Sequence, residues 1–287
     1  MGHRRLGDTR NSLFGHFFRL VNEIRPRFYV AENVPGILHD SFDELRAVAI
    51  ASVKEYVNLP PVTLKASDFG AATSRERVFF IGYRREEMDD IKAEDFAAKV
   101  NNETVNVRSA LRGLPRRIDP SWQSDTDGWH KISGYPPGRF GKKIAGDIPP
   151  GVGDRRAIER LKREMLVSGC FGTRHTPEVV RRFSMLNPGE VDKVSRAGRL
   201  SFEGLCPTLR SGTGPERGSF QALRPVHPTE PRVITPREAA RLQGFPDWFL
   251  LDSTKWHSFR LIGNSISPFV AEELLTVFWR KGRREAR

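Results

Sequence analysis

Cysteine is scarce in this chain: two in 287 residues, Cys170 and Cys206. That count excludes a disulfide framework or a cysteine-built zinc cluster and makes a reducing cytoplasm the expected home. Long apolar runs are missing too, and stretches such as Val78-Phe79-Phe80-Ile81 are far too short to cross a bilayer. Met1-Gly2-His3-Arg4-Arg5 shows no apolar stretch like that of a signal peptide, and lacks the Ser or Thr that a myristoylation signal wants after Met-Gly. Internal repeats and low-complexity tracts are absent. Acidic residues are outnumbered: 35 Asp and Glu face 47 Lys and Arg, a formal charge of +12, with a pI near 10.1. Such an excess implies a polyanionic partner, usually nucleic acid, and a merely solvated basic surface is the alternative. The basic residues crowd 155–163, 174–182 and the tail 280–287.

What is present suffices for a core, because 38% of residues are hydrophobic. The length predicts two domains, or one large domain with an appendage. Leu13, Phe14, Phe17, Phe18, Leu20, Val21 and Ile24 recur at helical spacing, with Asn11 as the expected N-cap and Pro26 as the stop. Residues 27–31 then read as a strand that ends at Glu32. A helix is expected over 42–57, broken by Pro60-Pro61, and β-rich stretches at 62–66 and 77–83 flank an Asp68-Phe69-Gly70 loop. This order belongs to a mixed α/β sheet. From about Arg84 to Arg232 the periodicity weakens and Gly and Pro become frequent, so loops and short strands are expected there. Order returns at Thr235-Pro236-Arg237-Glu238, a capping box with proline at the first helical position and Gly244 at the far end. A last helix is expected over 268–279.

A carboxylate at a strand's end, such as Glu32, suits hydrogen bonding to an amino group and a ring nitrogen, or proton transfer. Alone it is equally a helix-capping or ion-paired acid. Arg75 and Arg77 alternate across a strand and alone would read as a surface salt-bridge pair. Together the segments say more. Glu32-Asn33-Val34, Arg75-Glu76-Arg77, the run Arg232 to Asp247 and Leu261-Ile262-Gly263-Asn264-Ser265 follow one another in an order that resembles the DNA (cytosine-5) methyltransferases, over residues 2 to about 275.

The resemblance implies an α/β fold, with a partial Rossmann-like methyltransferase sheet and a small, irregular, β-rich target-recognition domain. The expected division is 1–84 for catalysis, 85–258 for recognition (with the helix 236–243), and 259–287 returning to the catalytic domain. It implies that a cytosine flipped out of double-stranded DNA is attacked by a cysteine thiolate and takes a methyl group from S-adenosylmethionine. Glu32 would hold the ring nitrogen and amino group, Arg77 the base carbonyl, with Arg75 in support. Asn264 and Ser265 would lie beside the methyl donor, and Arg174, His175, Arg210 and Arg237 would contact DNA. The helix from Pro236 would brace the recognition domain.

Several features depart from the family pattern. Thr73 stands where the arginine pair is usually preceded by glutamine, and neither the glycine-rich donor loop nor the Pro-Cys dipeptide of the nucleophile is found. Gly151-Val152-Gly153 and Gly212-Thr213-Gly214 read as turns, Cys206 precedes Pro207 instead of following proline, and Cys170 lies in the middle region. Trp122 and Trp129 would stack on bases or pack in the core. The expectations are therefore a split or truncated enzyme of restriction–modification type, nucleoid-associated in a prokaryote or phage. A complementary subunit would bring the donor loop and the cysteine, and the alternative is a non-catalytic DNA-binding remnant. The strand at 28–31 would find its neighbours in the missing part, leaving an edge prone to association.

Overall fold

The structure, a computed structural model, describes residues 9–98, 104–119, 121, 128–146, 148–211 and 224–282. In chain order its first elements are α1 (Thr9–Ile24), β1 (Phe28–Asn33), α2 (Asp43–Ser52), β2 (Val57–Asn58), β3 (Val62–Lys65) and β4 (Glu76–Tyr83). There follow α3 (Val107–Leu111), β5 (His130–Lys131), α4 (Gly138–Ala145), α5 (Arg155–Glu164), β6 (Leu166–Val167), α6 (Pro177–Ser184), α7 (Pro236–Leu242), α8 (Lys255–Asn264) and α9 (Pro268–Lys281). They fall into two compact units: residues 1–65, 76–99 and 270–287, and residues 66–75 and 100–269. The divisions thus come at 65/66, 75/76, 99/100 and 269/270, not at the expected 84/85 and 258/259.

In the first unit, β4 is the central strand. Its residues 78–83 are buried on both faces, as expected of the apolar run there. β1 lies antiparallel along one edge, from Phe28 opposite Tyr83 to Asn33 opposite Val78. β2 and β3 share the other edge, also antiparallel, and the gap between them falls at Pro60-Pro61, where proline has no N–H to give a ladder. Three expectations are corrected here. The neighbour of β1 is not absent from the chain, since β4 supplies one complete ladder; no strand pairs with its second edge among the described residues. The sheet is antiparallel and four-stranded, where a mixed, Rossmann-like one was expected. Finally, the helix expected to reach Val57 stops at Ser52, because Val57 pairs with Tyr83 of β4.

Alternation of side chains along β4 decides what each face packs against. Val78 and Phe80, with Tyr29 and Ala31 of β1, meet Phe14, Phe18 and Val21 of α1 and Ala49 of α2. Those α1 residues recur at intervals of four and three, so one stripe of the helix faces the sheet. α1 begins at Thr9, which places Asn11 inside the first turn and not at the cap, and it ends where Arg25 turns left-handed (φ +52°) before Pro26. On the other face Phe28 stacks on Phe278 of α9, centroids 4.0 Å apart.

The second unit overturns the expected β-rich middle. It holds α3 to α8, and among the described residues its only ladder joins two residues of β5 to two of β6. The helices are short and mostly solvated: α5 buries only Ala157 and Leu161, too few for a strong periodic signal. Their starts are nonetheless locally encoded, by Asp154 accepting from Ala157 N and by Thr176 accepting from Val179 N ahead of Pro177. Gly151 and Gly153 both have positive φ, as turn residues. Trp122 and Gly212-Thr213-Gly214 lie outside the described residues.

Gly82 lies opposite Tyr29, and a Cβ there would come within 2.2 Å of the tyrosine ring. Gly82→Ala therefore expels a ring that packs on Phe17, Phe18 and Tyr56. The expected loss is about 1–3 kcal/mol in chemical denaturation. Gly36→Ala, where a Cβ meets open space, should leave the midpoint unchanged.

Candidate active site

Glu32 lies opposite Phe79 in the β1–β4 ladder, and Arg77 is two residues before Phe79. Residues two apart on a strand share a face, so Glu32 and Arg77 are diagonal neighbours on the same side of the sheet. Their side chains meet: Arg77 Nε is 2.5 Å from Glu32 Oε1, with about an eighth of the arginine and a quarter of the glutamate side chain exposed. The contact is close but badly aimed. Neither Oε1 nor Nε has a hydrogen bond of proper direction, although both atoms are buried. Arg77 Nη1 donates to the Glu76 carbonyl at 2.8 Å. Burial pulls the Arg77 pKa below the ordinary guanidinium value, and Glu32 opposes that pull.

Arg75 does not join this pair. It precedes β4 and is buried in the second unit, where it donates to the Leu209 carbonyl (3.2 Å) and the Gly263 carbonyl (2.8 Å). The expected alternation of Arg75 and Arg77 along one strand fails because the strand starts at Glu76. Thr73, at the position of departure from the family pattern, donates through its hydroxyl to the Cys206 carbonyl (2.9 Å) and fixes the same segment. At the end of α8, a Cβ on Gly263 would come 2.5 Å from Ser211 N, so glycine permits the 210–211 backbone to pass there. Asn264 is exposed and makes no hydrogen bond to a described residue. The Ser265 hydroxyl is occupied, donating to Ile262 O and accepting from Gln243 Nε2 (2.7 Å).

α7 is buried along its whole length and carries the capping box that the sequence predicts. Glu238 accepts from Thr235 N (2.7 Å) and receives both Nη groups of Arg232, at 2.9 and 2.8 Å. Arg241 grips Asp247 through two bonds, 2.9 and 2.5 Å. Arg237 corrects an expectation. Fully buried, it donates to the Ser168, Pro246 and Phe249 carbonyls and the Ser168 hydroxyl, so it ties the fold together and offers nothing to DNA. His175 is half-buried, accepts from Val233 N (3.3 Å) and meets the edge of Phe183. Arg174 and Arg210 are exposed. Trp129 packs under the Arg160 guanidinium, 4.5 Å from the ring centre. Burial pushes the thiols of Cys170 and Cys206 up to about 12, so neither offers a thiolate near neutrality. Among the described residues no group of three or more His, Cys, Asp or Glu could hold a metal ion.

A family model of C-5 cytosine-specific DNA methylases matches residues 1–279. The chain belongs to that family. Among curated relatives, the type II methyltransferase M.XorII of Xanthomonas oryzae pv. oryzae is 36% identical over 278 residues, 94% of this chain and 62% of the relative. The chain therefore spans less than two thirds of that relative. M.DdeI of Desulfomicrobium norvegicum is 28% identical, covering 95% of the chain and 68% of the relative. A solved structure of a DNA modification methyltransferase encoded within an E. coli prophage is 48% identical with a TM-score of 0.86, covering 96% of this chain and 75% of that one. The Dnmt2 methyltransferase of S. pombe, 15% identical with a TM-score of 0.57 over 96% of this chain and 74% of its own, shares the fold. No helix among the described residues is long and apolar enough to cross a membrane.

One group in the second unit gave no sequence signal. His227 Nδ1 accepts from Thr229 N (3.2 Å) and Glu230 N (3.1 Å), and burial lowers its pKa from 6.5 to about 4; Glu238 and Glu230 oppose this, while Arg232 and Arg116 add to it. Between those values the unfolded chain holds the extra proton, so stability is full above about pH 6.5 and falls as pH drops toward 4. The loss is about 3 kcal/mol, at 1.36 kcal/mol per unit. Glu238, buried but held below its ordinary value by Arg232, adds a further loss only below 4.5. Melting curves across that range should show the slope, and His227→Gln should flatten it.

Proposed function

We propose that the chain supplies the base-holding part of DNA cytosine C5-methylation, with Glu32 and Arg77 receiving a cytosine turned out of the duplex. The observation that carries this is the misdirected Glu32–Arg77 contact: two buried polar atoms, 2.5 Å apart, without a properly aimed hydrogen bond. Leaving such groups unsatisfied costs about 1–3 kcal/mol each. The polar edge of cytosine offers what they lack, an amino donor for the carboxylate and a carbonyl acceptor for the guanidinium. The two side chains leave no room for a ring between them, so the base enters by displacing each from the other.

In that arrangement Glu32 accepts from the exocyclic amino group and faces the ring nitrogen. There it holds the proton that offsets charge building in the ring under nucleophilic attack. Arg77 fixes the carbonyl and with it the orientation of the ring. Arg75, one residue before β4, takes the supporting part that the family pattern gives it. S-adenosylmethionine, when bound, supplies the methyl group, and Asn264 is the residue of this chain suited to hydrogen-bond it. With both thiols of the chain buried, the attacking cysteine is assigned to polypeptide outside these 287 residues. Arg174 and Arg210, exposed and basic, serve the phosphate backbone, which governs most of the affinity.

With that polypeptide supplied, Glu32→Gln should lower transfer of a radiolabelled methyl group by orders of magnitude while duplex affinity stays within about twofold. Arg77→Ala should cost about 1–3 kcal/mol of transition-state stabilisation, by leaving the base carbonyl unpaired. Unchanged turnover per folded molecule in both variants removes the pair from the site. Lost folding without lost specific activity makes it a structural ion pair.

A further inference from the structure

Away from the Glu32–Arg77 pair, a cavity of about 550 Å³ opens within the second unit. That volume falls within the roughly 300–1,000 Å³ typical of small-ligand pockets. Leu111, Leu114, Pro115 and Phe202 give it apolar walls, while Arg108, Arg112 and Arg116 bring three guanidinium groups to its lining. Their states differ. Arg108 is paired with Glu203 (2.6 Å) and lies over the Phe202 ring, and Arg116 donates to Thr229 Oγ1 (3.3 Å). Arg112 is exposed, and its side chain has no hydrogen bond or ion pair to a described residue.

The two innermost members of the lining are His227 and Glu238, both almost fully buried. The carboxylate of Glu238 is satisfied by Arg232 and the Thr235 amide. The imidazole is not. Because Nδ1 accepts two backbone N–H groups, the ring proton sits on Nε2. Nε2 lies 3.6 Å from Glu238 Oε1, beyond hydrogen-bond length. The Nε2–H of a residue that lines an apolar-walled, arginine-edged cavity thus has no acceptor within hydrogen-bond length among the described residues.

We infer that this cavity is a nucleotide site: a base seated between Phe202 and the leucines, accepting from His227 Nε2–H, with its phosphate on Arg112. The ligand chemistry is a planar heterocycle with ring or carbonyl acceptors, joined to a phosphate. A free nucleotide and one unit of an unstacked DNA strand share that chemistry. Guanine, with O6 and N7 as adjacent acceptors, suits the donor well. The site shares no residue with the Glu32–Arg77 pair, and its occupation does not depend on methyl transfer.

Titration calorimetry of the chain with dGMP, and separately with a short single-stranded oligonucleotide, tests this. Arg112→Glu removes the free guanidinium at an exposed position, and Arg85→Glu makes the same charge change in the first unit, outside the cavity. Binding of dGMP weakened at least tenfold by Arg112→Glu and less than threefold by Arg85→Glu supports the site with a free nucleotide as its occupant. The same pattern with the oligonucleotide alone supports it with the strand as the source. In either case the Nε2–H resonance of His227 in a ¹⁵N-histidine spectrum should shift on binding. Equal losses in the two variants, no loss in either, or no binding of either ligand to the parent chain overturns the inference.

Discussion

The register of β1 against β4 is the constraint on which the candidate site rests. A slip of one residue would send Glu32 to the face packed by α1 and α2, where a carboxylate has no partner. That register is itself held by the hydrophobic face. Tyr29 and Ala31 must meet the helices together with Val78 and Phe80, and Gly82 must lie beneath the Tyr29 ring. The polar pair is therefore positioned by apolar packing on the opposite side of the same two strands. Chemistry and core are alternate residues of one pattern.

The second unit solves a different problem. With few ladders, many of its carbonyl groups have no strand or helix to bond. Buried arginines take that role. Arg75, Arg199, Arg232, Arg237 and Arg241 each donate to carbonyls of loops far away in sequence. A guanidinium carries five donors in a planar fork, so one side chain can tie several irregular segments at once. Part of the chain's positive charge is thereby internal. The formal excess of +12 overstates what is displayed to a polyanion, because some of the arginines that suggest nucleic acid binding are structural.

This division explains what the sequence revealed. The motif segments around Glu32, Arg77 and the α7 capping box were legible because each is local: a strand end, a strand start, a cap with proline at the first position. The family resemblance was carried by their order. The helices of the middle region were hidden, since α5 buries two residues and α6 one; their caps at Asp154 and Thr176 were the signals available. Arg237 was misread because nothing local distinguishes an arginine that contacts DNA from one that collects carbonyls. His227 stayed silent for a similar reason. Its partners Thr229 and Glu230 are adjacent, yet the burial that lowers its pKa comes from the packing of distant segments.

Glu32 can only accept hydrogen bonds when ionised, and in the proposed clamp that one-sidedness would set which bases are refused on entry. Cytosine turns an amino group toward it. Thymine and uracil turn a carbonyl there, oxygen against oxygen, with no proton between unless the acid takes one up. The penalty falls before any bond to carbon is made. In the proposed clamp the closed pair with Arg77 would therefore filter the exocyclic substituent, turning a deaminated target away before it is processed.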